Sequence, residues 1–390
     1  MKTPEVTAPQ SLAAPPSPAQ LAAGRLPDFP WDRLAPSAEL ARRHPGGLVD
    51  LSVGTPVDPT PAVVRAALRA AADAPGYPLT AGTAALRAAA ADYLRRRLGV
   101  AVDPAAVLPT VGSKELVALL PGLLGLSAGD RVLLPELAYP TYDVGARLAG
   151  AEPVAVADVA RADPAGVRLV WLNSPSNPTG AVTGAEELRA VVAWARAHGV
   201  LVVSDECYAE FGWEAAPVSV LHPGVCDGSS VGLLAVHSLS KRSNMAGYRA
   251  GFVAGDPAVV AALLEVRRHA GLMVPGPVQA AMVAALSDDA HVEQQRARYA
   301  GRRALLRPAL AAAGWQVEPS EGGLYLWVSS PAYDCWGSVQ RLAELGILVA
   351  PGEFYGPAGG RHVRVALTAT DERVAAAADR LTGGQAGWRQ

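Results

Sequence analysis

The strongest constraint on this chain is a repeating alternation that begins near residue 107. Short apolar runs at 131–135, 153–157, 167–172, 200–204, 232–237 and 250–254 are separated by stretches with helical spacing, among them 113–126, 139–149 and 184–198. The runs show little polar–apolar alternation, the mark of strands covered on both faces. Strand, helix, strand at this spacing implies right-handed crossovers and a mostly parallel sheet. The run from Ala250 follows the one from Gly232 too closely for a helix, which predicts one antiparallel edge. Beyond about residue 290, strands at 323–329 and 362–367 with helices at 336–345 and 371–381 predict a smaller α+β unit. The expected organisation is an Ala/Pro-rich flexible tail over 1–26 and an arm over 27–50 packing with the small domain. A large domain over 51–285 and a small C-terminal domain over 286–390 complete it. The fold class is α/β, with a large sheet of the seven-stranded type.

Composition narrows the function. With 390 residues, 50% hydrophobic and 18% charged, the chain has ample material for cores and is not a disordered sequence. A net charge of -2 argues against a nucleic-acid footprint or a polybasic membrane anchor. No stretch approaches the roughly 18 apolar residues of a membrane span. The first residues lack the apolar core of a signal peptide. These features predict a cytoplasmic protein. Cys207, Cys226 and Cys335 are odd in number and widely spaced, and the seven histidines are scattered. That pattern disfavours disulfides and metal sites. No phosphate-binding G-x-x-x-x-G-K-[ST] or dinucleotide G-x-G-x-x-G fingerprint is present.

Only three of the 34 basic residues are lysines: Lys2, Lys114 and Lys241. In a chain this biased towards Arg, a lysine that persists is a candidate for work a guanidinium cannot do, such as forming a Schiff base. Ligands of open parallel sheets bind beyond the carboxyl ends of strands. There the expected strands deliver Asn173 to Gly180, Asp205 to Tyr208, and Ser238 to Lys241 with Arg249 eight residues on. Each residue alone has an ordinary explanation: Asp205 as a helix cap, Asn-Pro-Thr-Gly as a turn, Lys241 as a solvated charge. Their joint occurrence in this order points to one site.

The run from Ser238 to Gly251 (SLSKRSNMAGYRAG) resembles the lysine signature of class I aminotransferases. Asn177-Pro178-Thr179-Gly180, Asp205-x-x-Tyr208 and Arg364 in Val363–Thr368 match that family's other landmarks in the same order. The resemblance spans nearly the whole chain after residue 27. It implies a fold-type-I enzyme dependent on pyridoxal 5′-phosphate, commonly a homodimer with active sites at the subunit interface. It further implies that Lys241 binds the cofactor as a Schiff base and, once released, moves the substrate's α-proton. Asp205 would pair with the ring nitrogen, Asn177 and Tyr208 with the phenolic oxygen, and Tyr139 would stack on the ring. Ser238, Ser240 and Arg249 resemble the phosphate contacts. Ser113 and Lys114 sit where a helix begins, with Ser113 a plain N-cap on the ordinary reading and Lys114 at the pocket rim. Arg364 would clamp the substrate carboxylate, and Gly54 would allow close approach of the loop over it. Tyr77 resembles a tyrosine that reaches the neighbouring subunit's phosphate. The turn Glu321-Gly322-Gly323 corresponds to a stretch near the substrate in the family.

A finer resemblance rests on 26–32, 52–61, 323–327 and 351–356, which are similar to actinobacterial N-succinyldiaminopimelate aminotransferases. It implies exchange of an amino group between N-succinyl-LL-2,6-diaminopimelate and 2-oxoglutarate, giving glutamate, in lysine and diaminopimelate synthesis. Three alternatives stand beside it: a same-fold aminotransferase for aspartate, aromatic or other amino acids, a lyase with the same cofactor, and a non-catalytic ligand sensor. The last needs a DNA-binding module, which the first 26 residues do not supply.

Overall fold

The computed structural model describes Gly24 and residues 26–383; the rest of the expected tail over 1–26, Lys2 included, lies outside the described residues. After strand β1 (Val49–Asp50) in the N-terminal arm comes the central sheet. Its strands are β2 (Val107–Val111), β3 (Arg131–Pro135), β4 (Glu152–Val156), β5 (Val167–Asn173), β6 (Leu201–Asp205), β7 (Leu233–Ser238) and β8 (Ala250–Gly255). They lie in the order β2-β8-β7-β6-β5-β3-β4. All pairs from β7 to β4 are parallel, whereas β8 runs antiparallel to both β7 and β2.

The antiparallel strand therefore lies inside the sheet and not at its edge, a correction to the sequence reading. Strand β2 pairs beyond it. Its Pro109 explains why it was missed: proline cannot donate to a ladder and reads as a break, yet an edge strand tolerates it.

Strands β7 and β8 are buried at every position, which is why their runs are continuously apolar. One sheet face buries Val202, Leu233, Ala235 and Phe252 beneath the helices Ala84–Leu98, Ala185–His198 and Gly276–Ser287. The other buries Val203, Leu234, Val236 and Val253 beneath Gly112–Leu123, Thr141–Ala149 and Pro257–Ala270.

The second lobe carries β9 (Gln316–Val317), β10 (Tyr325–Ser329), β11 (Ile347–Leu348), β12 (Ala350–Pro351) and β13 (His362–Ala366). Four of them form an antiparallel sheet in the order β12-β13-β10-β9, and β11 pairs in parallel with β1. Leu34 and Val49 of the N-terminal arm, with Leu51 just after it, share this lobe's core with Leu326, Val339 and Ile347. The parallel register sets Asn173 beside Asp205 and Asp205 beside Val236, while Ser238 faces Gly251. Polar residues from β5, β6 and β7 thus emerge along one rim.

Candidate active site

The rim is braced from below. Asn173 Nδ2 donates to the Asp205 carbonyl at 2.9 Å, and Asn173 Oδ1 accepts from the Asn177 N–H at 2.7 Å. The loop after β5 is thereby folded back over the rim, with cis peptide bonds at Ser174–Pro175 and Asn177–Pro178. Gly322 N donates to the Gly180 carbonyl, so the expected turn at 321–323 lies against this loop.

Asp205 is 6% exposed and accepts from Tyr142 Oη at 2.8 Å and from Cys207 N at 3.1 Å. Burial pushes its carboxyl up from the ordinary range while the two donors act against that shift. No ion pair reaches it among the described residues, so the carboxylate fits a cationic partner such as a protonated ring nitrogen. Tyr142 stacks on the buried Trp171 with ring centroids 4.9 Å apart and meets Tyr139 edge to face. Tyr139 feels the charge of Asp205, and burial pushes its phenol up to about 12.

Lys241 lies on the short helix Leu239–Arg242 directly after β7. Ser238 caps that helix, its Oγ accepting from Ser240 N at 3.1 Å. Both serines are buried. The Lys241 ammonium donates to the Gly54 carbonyl. Burial lowers its pKa to about 8; the nearby guanidinium groups of Arg364 and Arg249 lower it further, and Cys207 opposes them. A largely buried amine, half neutral near pH 8, can act as a nucleophile and a base.

Arg249 adopts a left-handed backbone with φ 56° and donates from Nη1 to the Ala246 carbonyl at 2.9 Å. Its guanidinium occupies the space a Cβ on Gly112 would need. Gly112, at φ +72°, opens the helix Gly112–Leu123, so Ser113 lies within the first turn and is not the N-cap, correcting the ordinary reading of that residue. A Cβ on Gly251 would meet Ser113 N at 3.1 Å, which sets the helix start beside the β7–β8 ladder at Ser238. First-turn amides, Arg249 and two serine hydroxyls together suit a phosphate. Lys114 is exposed on the outer side of that turn.

The second lobe contributes Arg364 from β13, 3% exposed. It donates from Nη2 to the Ser52 carbonyl at 2.6 Å and from Nη1 to Asn177 Oδ1 at 2.8 Å. Its carbon centre lies 4.0 Å from the Tyr325 ring centroid and 5.0 Å from that of Tyr355. The Tyr325 and Tyr208 hydroxyls are 3.0 Å apart. A Cβ on Gly54 would strike the Tyr325 hydroxyl, so this loop position leaves no room for a side chain.

The structure thus gathers Gly54, Ser113, Tyr139, Asn177, Asp205, Tyr208, Ser238, Ser240, Lys241, Arg249 and Arg364 along the sheet rim where the lobes meet. Tyr77 is not gathered: it is 97% exposed and distant in character from the buried site. Tyr142, Tyr325 and Tyr355 join the site although sequence reasoning gave them no role. Tyr142 had one usable signal, its position three residues after Tyr139. Carboxylate, amine, amide, phenols and anion cradle match the functional groups of pyridoxal phosphate, and the residues present fit it.

The family described as "Aminotransferase class I and II" matches residues 47–381. The 4-dedimethylamino-4-oxo-anhydrotetracycline transaminase OxyQ of Streptomyces rimosus is 63% identical over 92% of this chain and 99% of its own length. An LL-diaminopimelate aminotransferase of Aquifex aeolicus is 34% identical over 86% of this chain and 90% of its own length. Among solved structures, an aminotransferase from Staphylococcus aureus superposes with a TM-score of 0.84 at 29% identity, covering 93% of this chain and 98% of its own.

Proposed function

We propose a substrate and a division of labour from one premise: the chain belongs to the class I and II aminotransferases and is a pyridoxal-phosphate-dependent transaminase of fold type I. The amino donor is N-succinyl-LL-2,6-diaminopimelate and the acceptor is 2-oxoglutarate, in diaminopimelate and lysine synthesis in the cytoplasm. The observation that carries the substrate is the relationship to an LL-diaminopimelate aminotransferase over 86% of this chain, which shares the seven-carbon diamino dicarboxylate scaffold. The 63% identity to a transaminase named for an anhydrotetracycline ketone favours a second reading, a bulky ketone acceptor.

Bound pyridoxal phosphate supplies a carbonyl carbon that takes up the amino group and a ring that accepts the electrons of the substrate's Cα–H bond. Lys241 holds the cofactor and then carries the α-proton on Nζ; its lowered pKa lets the amine be neutral when it receives that proton. Asp205 keeps the ring nitrogen protonated, with Tyr142 fixing the carboxylate's orientation. Asn177 has its Oδ1 engaged by Arg364, which leaves Nδ2 to donate to the phenolic oxygen beside Tyr208. Ser113, Ser238, Ser240 and Arg249 hold the phosphate, while Lys114, exposed on the outer side of the turn, stays out of contact with it. Arg364 grips the substrate's α-carboxylate, backed by the Tyr325 and Tyr355 rings, and Tyr139 covers the cofactor face.

Two chains complete the enzyme in this reading. Tyr77 and Leu79 are 97% and 63% exposed on one loop, a surface suited to burial against a second copy, where Tyr77 would reach the partner's phosphate.

The test mixes the purified holoenzyme, without keto acid, with N-succinyl-LL-diaminopimelate, LL-diaminopimelate or glutamate and follows the visible band of the lysine-bound cofactor. Bleaching by the succinylated compound and glutamate, but not by free LL-diaminopimelate, is expected. Bleaching by LL-diaminopimelate alone, or by neither diamino acid, overturns the substrate while leaving the transaminase intact.

A further inference from the structure

Successive strand residues point to opposite faces of a sheet, so each cofactor-side residue at the ends of β6 and β7 has a neighbour on the rear face. Glu206 follows Asp205 and His237 precedes Ser238, while Arg242 follows Lys241 on the helix Leu239–Arg242, where successive side chains also point in different directions. The three rear residues are 2%, 3% and 3% exposed. They gather around Tyr93 of the helix Ala84–Leu98. Glu206 Oε2 lies 3.4 Å from His237 Nε2, the His237 ring meets Tyr93 edge-on at 5.9 Å, and the Arg242 guanidinium sits 4.6 Å over the Tyr93 ring. Glu210 closes the group, with Oε1 3.4 Å from Arg242 Nε and Oε2 accepting from Arg97 at 2.7 Å.

Each member is tied to a different part of the fold. Glu206 Oε1 accepts from Val220 N at 2.8 Å, and its own N–H donates to Val236 O at 2.9 Å, joining β6 to β7. Arg242 Nη1 donates to the Ala285 carbonyl at 3.1 Å, and His237 stacks on Phe252 of β8 at 5.0 Å. Yet Glu206 Oε2, both His237 nitrogens, and Arg242 Nε and Nη2 have no hydrogen-bond partner among the described residues. Buried polar atoms left in this state are costly, and apolar side chains would fill the same space more stably. A fold retains such groups where they serve a site.

We infer that Glu206, His237 and Arg242 are positioning residues for transamination, fixing Asp205, Ser238 and Lys241 from behind the sheet. Burial, first among the causes, pushes Glu206 up to about 7 and His237 down to about 3, and the charge of Asp205 adds to the rise of Glu206. The imidazole is therefore neutral, the 3.4 Å contact is not an ion pair, and a full second negative charge is kept away from Asp205 below neutrality. Arg242, Glu210 and Arg97 are the charged groups facing this pair. The inference rests on the cofactor-side assignment of Asp205, Ser238 and Lys241.

The test is His237→Phe in the holoenzyme, which keeps the ring against Tyr93 and Phe252 and removes both nitrogens. The control is Phe252→Leu, which loosens the same packing without touching the polar group. His237→Phe is expected to raise the pyridoxal phosphate dissociation constant roughly tenfold, the size seen when a partner behind a ligand is lost. It should also shift the pH midpoint of the visible band and lower kcat with KM for the amino donor unchanged. Phe252→Leu should lower Tm and leave the midpoint in place. A His237→Phe protein with wild-type dissociation constant and midpoint overturns the inference; should it not fold, Glu206→Gln is judged by the same two readouts. A wild-type protein lacking a Lys241-dependent visible band overturns the transaminase roles of the rim and this inference with them.

Discussion

Because burial brings the Lys241 amine down to about 8, the neutral, nucleophilic fraction grows as pH rises through that value and saturates above it. Recombination of apoenzyme with pyridoxal phosphate should therefore accelerate up to about pH 8 and level off by pH 9; an amine with the ordinary lysine value would still be climbing there. Lys241→Ala should abolish both the visible band and turnover, so retained steady-state activity would remove Lys241 from the mechanism. Arg364→Ala acts elsewhere. It deletes charge-assisted bonds worth about 1.5–3 kcal/mol to a carboxylate, so KM for the amino donor should rise roughly 10–100-fold with little change in cofactor affinity, as measured by steady-state kinetics and fluorescence titration. Lys241 was legible from its rarity and its place after a strand, whereas Arg364, one of many arginines, was legible only through the family motif around it. Tyr325 was not, and Tyr142 offered only its place three residues after Tyr139, since a tyrosine's hydrogen bond to Asp205 or Tyr208 depends on three-dimensional approach that local spacing does not fix.

At the level of elements, the parallel core was legible for a physical reason: β5, β6 and β7 are covered on both faces, and their apolar runs say so. The place of β8 was not, because sequence shows that two strands are close in the chain but not what pairs on the far side, and Pro109 disguised β2 as a break. The helix start at Gly112 was off by one residue for a similar cause. A left-handed glycine opens the helix there, and a serine one position on resembles a cap. Gly112→Ala tests that start. Alanine at φ +72° is strained, and its Cβ needs the space of the Arg249 guanidinium. The substitution should cost about 1 kcal/mol of stability from the backbone alone and weaken cofactor binding beyond that. A drop in Tm with unchanged pyridoxal phosphate affinity would separate Arg249 from the phosphate.

For the whole molecule, the exposed Tyr77 offers a test of shared sites. Lys241→Ala chains keep Tyr77, and Tyr77→Ala chains keep Lys241, so a mixed dimer of the two rebuilds one complete site. Random mixing makes roughly half the dimers hybrid, each with one of two sites intact, and activity should recover towards roughly a quarter of wild type. Recovery no greater than the average of the two parents would mean that each chain works alone. The lobes also meet at one short stretch of backbone. The consecutive carbonyls of Ser52, Val53 and Gly54 accept from Arg364 Nη2, Thr368 Oγ1 and Lys241 Nζ. In the proposed function two of those donors grip substrate and cofactor, so loading the enzyme should draw them away from the stretch of chain that leads into Val57, whose side chain is half exposed. A protease nicking this stretch would then act as a clock for turnover, cutting at different rates in the resting and the working enzyme.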